Sequence, residues 1–233
     1  MRILVTGATK GIGKAICEVL GKEHDIYAAA RTEDLLKCYK HYCVCDLAQK
    51  EGMEKLGQYI EENKIDVLVN NAGEYIYSPI EGVNIEQIEH ITRLNLEAPL
   101  YLISKAVPYM KRQKFGRIIN IGSISGIIGE ANASLYSASK SALTGASKAL
   151  ALELAEYGIT VNTINPGWVD TEMGNSSADE GDFTKEEIID CIPQRRFIEP
   201  SEIAGMIKYL ISDEAKGLTG QSINLCAGLT CGG

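Results

Sequence analysis

The chain is poor in the residues that build several kinds of site. It has three histidines, one tryptophan, three phenylalanines and six prolines in 233 residues, and no apolar run approaches the ~20 residues that span a bilayer. No membrane segment is expected. Lys and Arg number 23 against 31 Asp and Glu, a net charge of −8. Nucleic acid and acidic membrane surfaces require clustered cations, so neither is an expected partner. Seven cysteines are present, yet no two form a C-x-x-C pair, and His24, His41 and His90 stand alone. Zinc needs three or four convergent N/S ligands, so no metal is expected. Cys43 and Cys45 alternate in YCVCDL as strand residues facing one side of a sheet. Scattered thiols of this kind fit reduced, small core residues. The opening MRILVTG runs directly into a strand and a glycine turn, without an apolar leader, and predicts a cytoplasmic protein.

Short β-rich runs alternate with helical patterns. Strands are expected at Arg2–Thr6, Ile26–Ala30, His41–Cys45, Asp66–Val69, Arg117–Ile121, Thr160–Ile164 and Ser222–Leu225. Helices are expected over about Ile12–Leu20, Glu51–Glu62, Leu135–Glu156 and Pro200–Ile211. Ile85–Lys111 reads as one long helix or two in tandem, with Pro99 at the bend or the seam. This alternation predicts an α/β fold, a doubly wound parallel sheet with helices on both faces and right-handed crossovers. No linker or repeat interrupts it, so residues 1–233 are expected to form one domain. Residues 172–199 break the rhythm, beginning as the acidic stretch EMGNSSADEGD, and are expected to form a substrate-binding loop or lid.

Three motifs carry chemistry. Gly7-Ala8-Thr9-Lys10-Gly11-Ile12-Gly13 stands between the first strand and first helix. Glycines there let backbone approach a pyrophosphate at the helix N-terminus. The second strand ends Ala28-Ala29-Ala30-Arg31, with no carboxylate at the tip, and Lys10 is expected nearby. A 2′-phosphate needs cations, so NADP(H) is favoured and NAD(H) is the alternative, the acids Glu33 and Asp34 lying past the tip. Tyr136 and Lys140, four apart, share one face of an alanine-rich helix. The ammonium and an oxidised nicotinamide are expected to lower the phenol pKa. Ser123 and Ser125 lie at the C-terminal end of a strand, the edge where ligands bind in open α/β sheets.

Together with Asp46-Leu47, Asn70-Asn71-Ala72-Gly73, Asn95, Pro166-Gly167-Trp168-Val169-Asp170-Thr171 and Leu218-Thr-Gly-Gln221, these residues resemble the short-chain dehydrogenase/reductase family along essentially the whole chain. The stretches GRIINIGSISG and PGWVDTEM are most similar to the 3-oxoacyl-[acyl-carrier-protein] reductase type. The resemblance implies a single Rossmann-like domain with a seven-stranded sheet, assembled as a homotetramer or homodimer. It implies an NADP-dependent enzyme reducing a ketone, or a 3-oxoacyl thioester, to a secondary alcohol. Asn95, Ser123, Tyr136 and Lys140 would be catalytic. Gly7, Thr9, Lys10, Gly11, Ile12, Gly13, Arg31, Asp46, Leu47, Asn71, Ala72, Gly73, Pro166, Gly167, Val169 and Thr171 would bind cofactor, with Tyr136 and Lys140. Ser123, Ile124, Tyr136, Trp168 and Met173 would meet substrate, near Glu130; core packing is the alternative role for Trp168 and Met173. If the substrate is carried by an acidic protein, Lys111, Arg112 and Lys114 supply part of a docking patch, weakened by Tyr157 where a basic residue is common. An NAD-dependent alcohol, sugar or steroid-type dehydrogenase, or a nucleotide-binding regulator without turnover, are the other readings.

Overall fold

The computed structural model describes residues 1–175 and 184–231. Among these, seven strands form one parallel sheet: β1 Arg2–Thr6, β2 Asp25–Ala30, β3 His41–Val44, β4 Val67–Asn70, β5 Gly116–Ile121, β6 Ile159–Pro166 and β7 Ser222–Leu225. Their spatial order is β3-β2-β1-β4-β5-β6-β7. The winding reverses between β1 and β4, and that reversal opens a crevice at the carboxyl ends of these strands.

Helices cover both faces because each strand alternates its side chains between two apolar layers. Ile3 and Val5 of β1 pack under α1 (Gly11–Leu20) and α9 (Pro200–Leu210), with Ile16, Leu20, Ile203 and Ile207. Leu4 points the other way, toward Leu56 and Ile60 of α3 (Lys50–Asn63) and Leu102 and Met110 of α5 (Ala98–Gln113). Each such fully buried side chain contributes roughly 1.5–3 kcal/mol of transfer free energy. Cys43 and Cys45 are buried together in this second layer, on the shared face their alternation implies.

Two details of the helices matter for the site, the first of them the seam expected near Pro99. The long helical pattern divides into α4 (Ile85–Thr92) and α5, joined by a π-helical turn at Arg93–Glu97. Pro99 stands at the start of α5, directly after that turn, and the backbone stays helical through Glu97 and Ala98 into it. The widened turn carries Asn95, which is buried. Within the loop expected at 172–199, Lys185–Cys191 is helical (α8), opened by a capping box between Thr184 and Glu187. Residues 176–183 of that predicted lid lie outside the described residues. Further helices are α2 Glu33–Leu36, α6 Ser125–Ile128 and α7 Ser134–Leu154. Among the described residues no helix is long and apolar enough to cross a membrane.

Candidate active site

The crevice is a cleft of about 710 Å³ running from the tip of β2 across the glycine turn to α7. Gly7 and Gly11 take φ +66° and +47°, a backbone region disfavoured for other residues. A Cβ at Gly13 would stand 2.1 Å from the Gly7 carbonyl oxygen, so the third glycine lets α1 close against the turn. No side chain caps the start of α1 and no acid occupies its first turn. Its first N–H groups therefore face the cleft as an anion site. The Tyr39 hydroxyl, which the sequence did not single out, donates to the Ala8 carbonyl at 3.0 Å and braces the turn from the other side.

The ends of β1 and β4 are locked together. Thr6 Oγ1 accepts from the backbone N–H groups of Asn71 (3.0 Å) and Ala72 (2.9 Å), and Asn71 Nδ2 donates to the Thr6 carbonyl at 2.8 Å. Asp46 Oδ1 accepts from the Ala48 N–H at 3.0 Å, which fixes the turn after β3 at the cleft wall. On the far side, Thr171 reaches the glycine turn: a Cβ on Gly11 would meet its methyl at 3.1 Å.

The α7 wall is held by a buried polar ladder across three strands. Asn70 Nδ2 donates to Asn120 Oδ1 (2.8 Å), Asn120 Nδ2 to Ser147 Oγ (2.8 Å), and Thr163 Oγ1 to the same Ser147 oxygen (2.9 Å). This anchors α7, and with it Tyr136 and Lys140. Lys140 is buried and its Nζ donates to the Ile121 carbonyl at 2.9 Å. An ammonium has three donors, so others remain for a ligand. Ser123 Oγ donates to Ser125 Oγ at 3.0 Å, and Ser125 Oγ donates to Glu130 Oε2 at 2.6 Å. Tyr75, also absent from the sequence reading, donates its hydroxyl to Glu130 Oε1 at 2.7 Å and sets its ring edge-on to Tyr136, centroids 5.1 Å apart.

Burial works against the lowering of the Tyr136 pKa expected from the lysine and nicotinamide charges. Burial pushes the phenol up to about 12; a hydrogen bond with Ser123 opposes this and the Glu130 charge adds to it. Lys140 lies 5.5 Å from the phenol ring centroid, and burial brings its own pKa down to about 8. Both shifts follow from withdrawing a charged form from water.

All but two of the expected site residues line this one cleft. Gly13 and Asn95 stand behind it. Asn95 brackets the backbone of Glu74, its Oδ1 accepting from the Glu74 N–H (3.0 Å) and its Nδ2 donating to the Glu74 carbonyl (2.9 Å). Gly73 fits between Asn95 and Lys140, where a Cβ would stand 3.1 Å from Asn95 Oδ1 and 3.3 Å from Lys140 Nζ. Trp168 lines the cleft and also stacks on Phe197, ring centroids 5.8 Å apart. Met173 lines the cleft. Glu33 and Asp34 lie past the tip of β2 in α2, outside the lining.

A glycine turn at a strand-order reversal, beside a buried lysine and a tyrosine on one helix face, defines a dinucleotide-binding oxidoreductase. The comparisons agree. The short chain dehydrogenase family model matches residues 1–182, and the chain belongs to that family. It is 36% identical to the 3-oxoacyl-[acyl-carrier-protein] reductase FabG of Rickettsia conorii, over 97% of this chain and 95% of that one. It is 34% identical to an uncharacterized oxidoreductase, YxjF, of Bacillus subtilis, over 97% of each. Among solved structures, an actinorhodin polyketide ketoreductase variant with NADPH superimposes with a TM-score of 0.91 at 35% identity, covering 98% of this chain and 96% of that one. A putative NAD(P)-dependent gluconate 5-dehydrogenase from Beutenbergia cavernae with bound NADP gives 0.91 at 31% identity, covering 99% and 96%. The chain is an NAD(P)-dependent dehydrogenase or reductase.

Proposed function

We propose that the protein reduces a ketone, a 3-oxoacyl thioester among the candidates, to a secondary alcohol with NADP(H) as the preferred cofactor. The residues present fit a dinucleotide. The uncapped α1 amides suit its pyrophosphate, and Lys140 keeps donors free for ribose hydroxyls. Asp46 and Leu47 suit the adenine end, Asn71, Ala72 and Gly73 the adenosine ribose, and Val169 and Thr171 the carboxamide. When bound, the reduced nicotinamide supplies a hydride to the carbonyl carbon.

The chain's own residues would do the rest. Ser123 turns its hydroxyl from Ser125 to the substrate oxygen and orients it, a change that breaks one 3.0 Å bond. Tyr136 gives its proton to the oxygen as charge develops there. The observation that carries this reading is geometric: Ser123, Tyr136 and Lys140 line one cleft with the glycine turn. A phenol is protonated at neutral pH, the form reduction uses, and burial favours that form further. Alcohol oxidation needs phenolate and would gain as pH rises.

The apolar wall of Ile124, Trp168 and Met173 suits a neutral carbonyl compound. For a carrier-borne substrate, Lys111 is already engaged, 3.8 Å from Glu153 and 4.5 Å over the Tyr157 ring. A cytoplasmic homotetramer or homodimer completes the reading. Leu152 on α7, 85% exposed, supplies an apolar contact such an assembly would cover. The test is NADPH consumption with a panel of ketones and 3-oxoacyl thioesters, small and carrier-bound. Turnover of at least one class with NADPH is expected; oxidation of alcohols by NAD⁺ alone would overturn the reading. Charge reversal at Lys111, Arg112 and Lys114 should raise KM for a carrier-bound substrate only. An equal rise with a small thioester would remove the carrier from consideration.

A further inference from the structure

The two cations marked for a 2′-phosphate are both engaged by carboxylates. Lys10 Nζ meets Glu172 Oε2 at 2.8 Å, and Arg31 meets Glu74 Oε1 at 2.9 Å. The two pairs are unlike. Lys10 and Glu172 are 66% and 74% exposed, a surface pair that ordinary side-chain motion opens. Glu74 is 32% exposed and held at three further points. Asn95 clamps its backbone N–H and carbonyl, and its second carboxylate oxygen meets His90 Nε2 at 2.7 Å.

Arg31 follows β2 and Glu74 follows β4, strands on opposite sides of β1, so their ion pair crosses the mouth of the cleft above the end of β1. Both residues line that cleft. A 2′-phosphate that takes Arg31 must take it from Glu74. The carboxylate would not swing away into water, because Asn95 fixes its backbone and His90 keeps its other oxygen. It would remain beside the arriving phosphate with the same sign of charge. A cofactor bearing only a ribose hydroxyl meets neither obstacle.

We propose that Glu74 is a specificity-determining residue for the cofactor: as the resident counterion of Arg31 it restrains the preference for NADP over NAD. The inference rests on the reading that Arg31 receives a 2′-phosphate. Nothing in the glycine motif or the tip of β2 announces it. The carboxylate comes from the residue after Asn-Asn-Ala-Gly, some 40 positions away in sequence, and only the fold brings it to Arg31.

The test is calorimetric titration of the whole protein with NADP⁺ and with NAD⁺, no substrate present. Glu74→Gln should tighten NADP⁺ binding on the order of fivefold to tenfold at low salt, with NAD⁺ unchanged within about twofold. The gain should shrink as salt rises. In an Arg31→Ala background the same substitution should give no more than about twofold, because repulsion alone remains. Glu33→Gln, which removes an equal charge from α2 outside the lining, should leave both affinities alone. Should Glu74→Gln fail to fold, Glu74→Asp, too short to reach Arg31 from its clamped backbone, should shift binding in the same direction. An unchanged ratio of the two affinities, an effect equal to that of Glu33→Gln, or an undiminished gain without Arg31 would each overturn the proposal. Tighter binding of NAD⁺ than NADP⁺ by the unaltered protein would instead overturn the cofactor reading, leaving the Glu74 comparison to be judged on its own shift.

Discussion

Ser123, Tyr136 and Lys140 stand on a wall fixed by buried hydrogen bonds, whereas the cations at the mouth of the same cleft are held by exposed ion pairs. Behind the first region, Asn70, Asn120, Thr163 and Ser147 form a ladder whose members are all buried. Removing one leaves its partners unsatisfied at about 1–3 kcal/mol each. At the second, the Lys10–Glu172 pair is exposed on both sides and contributes roughly 0–1 kcal/mol, while Arg31, about two-thirds exposed, pairs with the less exposed Glu74. Reacting groups need fixed geometry. At the mouth, the exposed Lys10 pair opens readily to a ligand, while the Arg31 pair keeps its carboxylate in place.

That contrast can be broken in several ways. The largest effect is expected from Lys140→Met, which removes the buried ammonium on the catalytic side. Ketone reduction should fall on the order of 100-fold, with weaker NADPH binding. Steady-state kinetics beside a binding titration check this, and unchanged cofactor affinity would remove Lys140 from the ribose. Next, Asn120→Ala should lower stability by about 1–3 kcal/mol in urea denaturation, while Lys10→Ala should change it by less than about 1 kcal/mol. Equal losses would erase the distinction between the two regions. The smallest effect is a linkage. The folded pKa of Lys140, about 8, lies below its unfolded value of 10.5, so the unfolded chain binds more protons between them. Stability should therefore rise by about 1.5 kcal/mol between pH 8 and 9.5. Lys140→Met should flatten that rise in urea midpoints measured across the range.

The sheet and most of the cleft were legible in the sequence because strand alternation and glycine spacing are local signals. Gly7, Gly11 and Gly13 announce a tight turn whatever surrounds them, and Tyr136 and Lys140 share a face by helical spacing alone. The π turn was not legible. The turn carries Asn95 to the backbone of Glu74, a contact between residues 21 apart that no local pattern shows. Helix α8 was signalled by Thr184 and Glu187, a capping pair that the polar composition of the loop masked. Charges were the least legible. Arg31 read as a free cation because its partner arrives from another strand. The burial of Tyr136, which works against the lowering expected from neighbouring cations, is not written in a Y-x-x-x-K spacing.

The central claim is that the Tyr136 hydroxyl delivers the proton in a cleft already holding its cofactor. The direct measurement is ketone reduction by Tyr136→Phe, with NADPH affinity determined on the same preparation. The account predicts a rate lower by about 10²–10⁴-fold and an affinity within about twofold of the unaltered protein. Reduction at undiminished speed would contradict it.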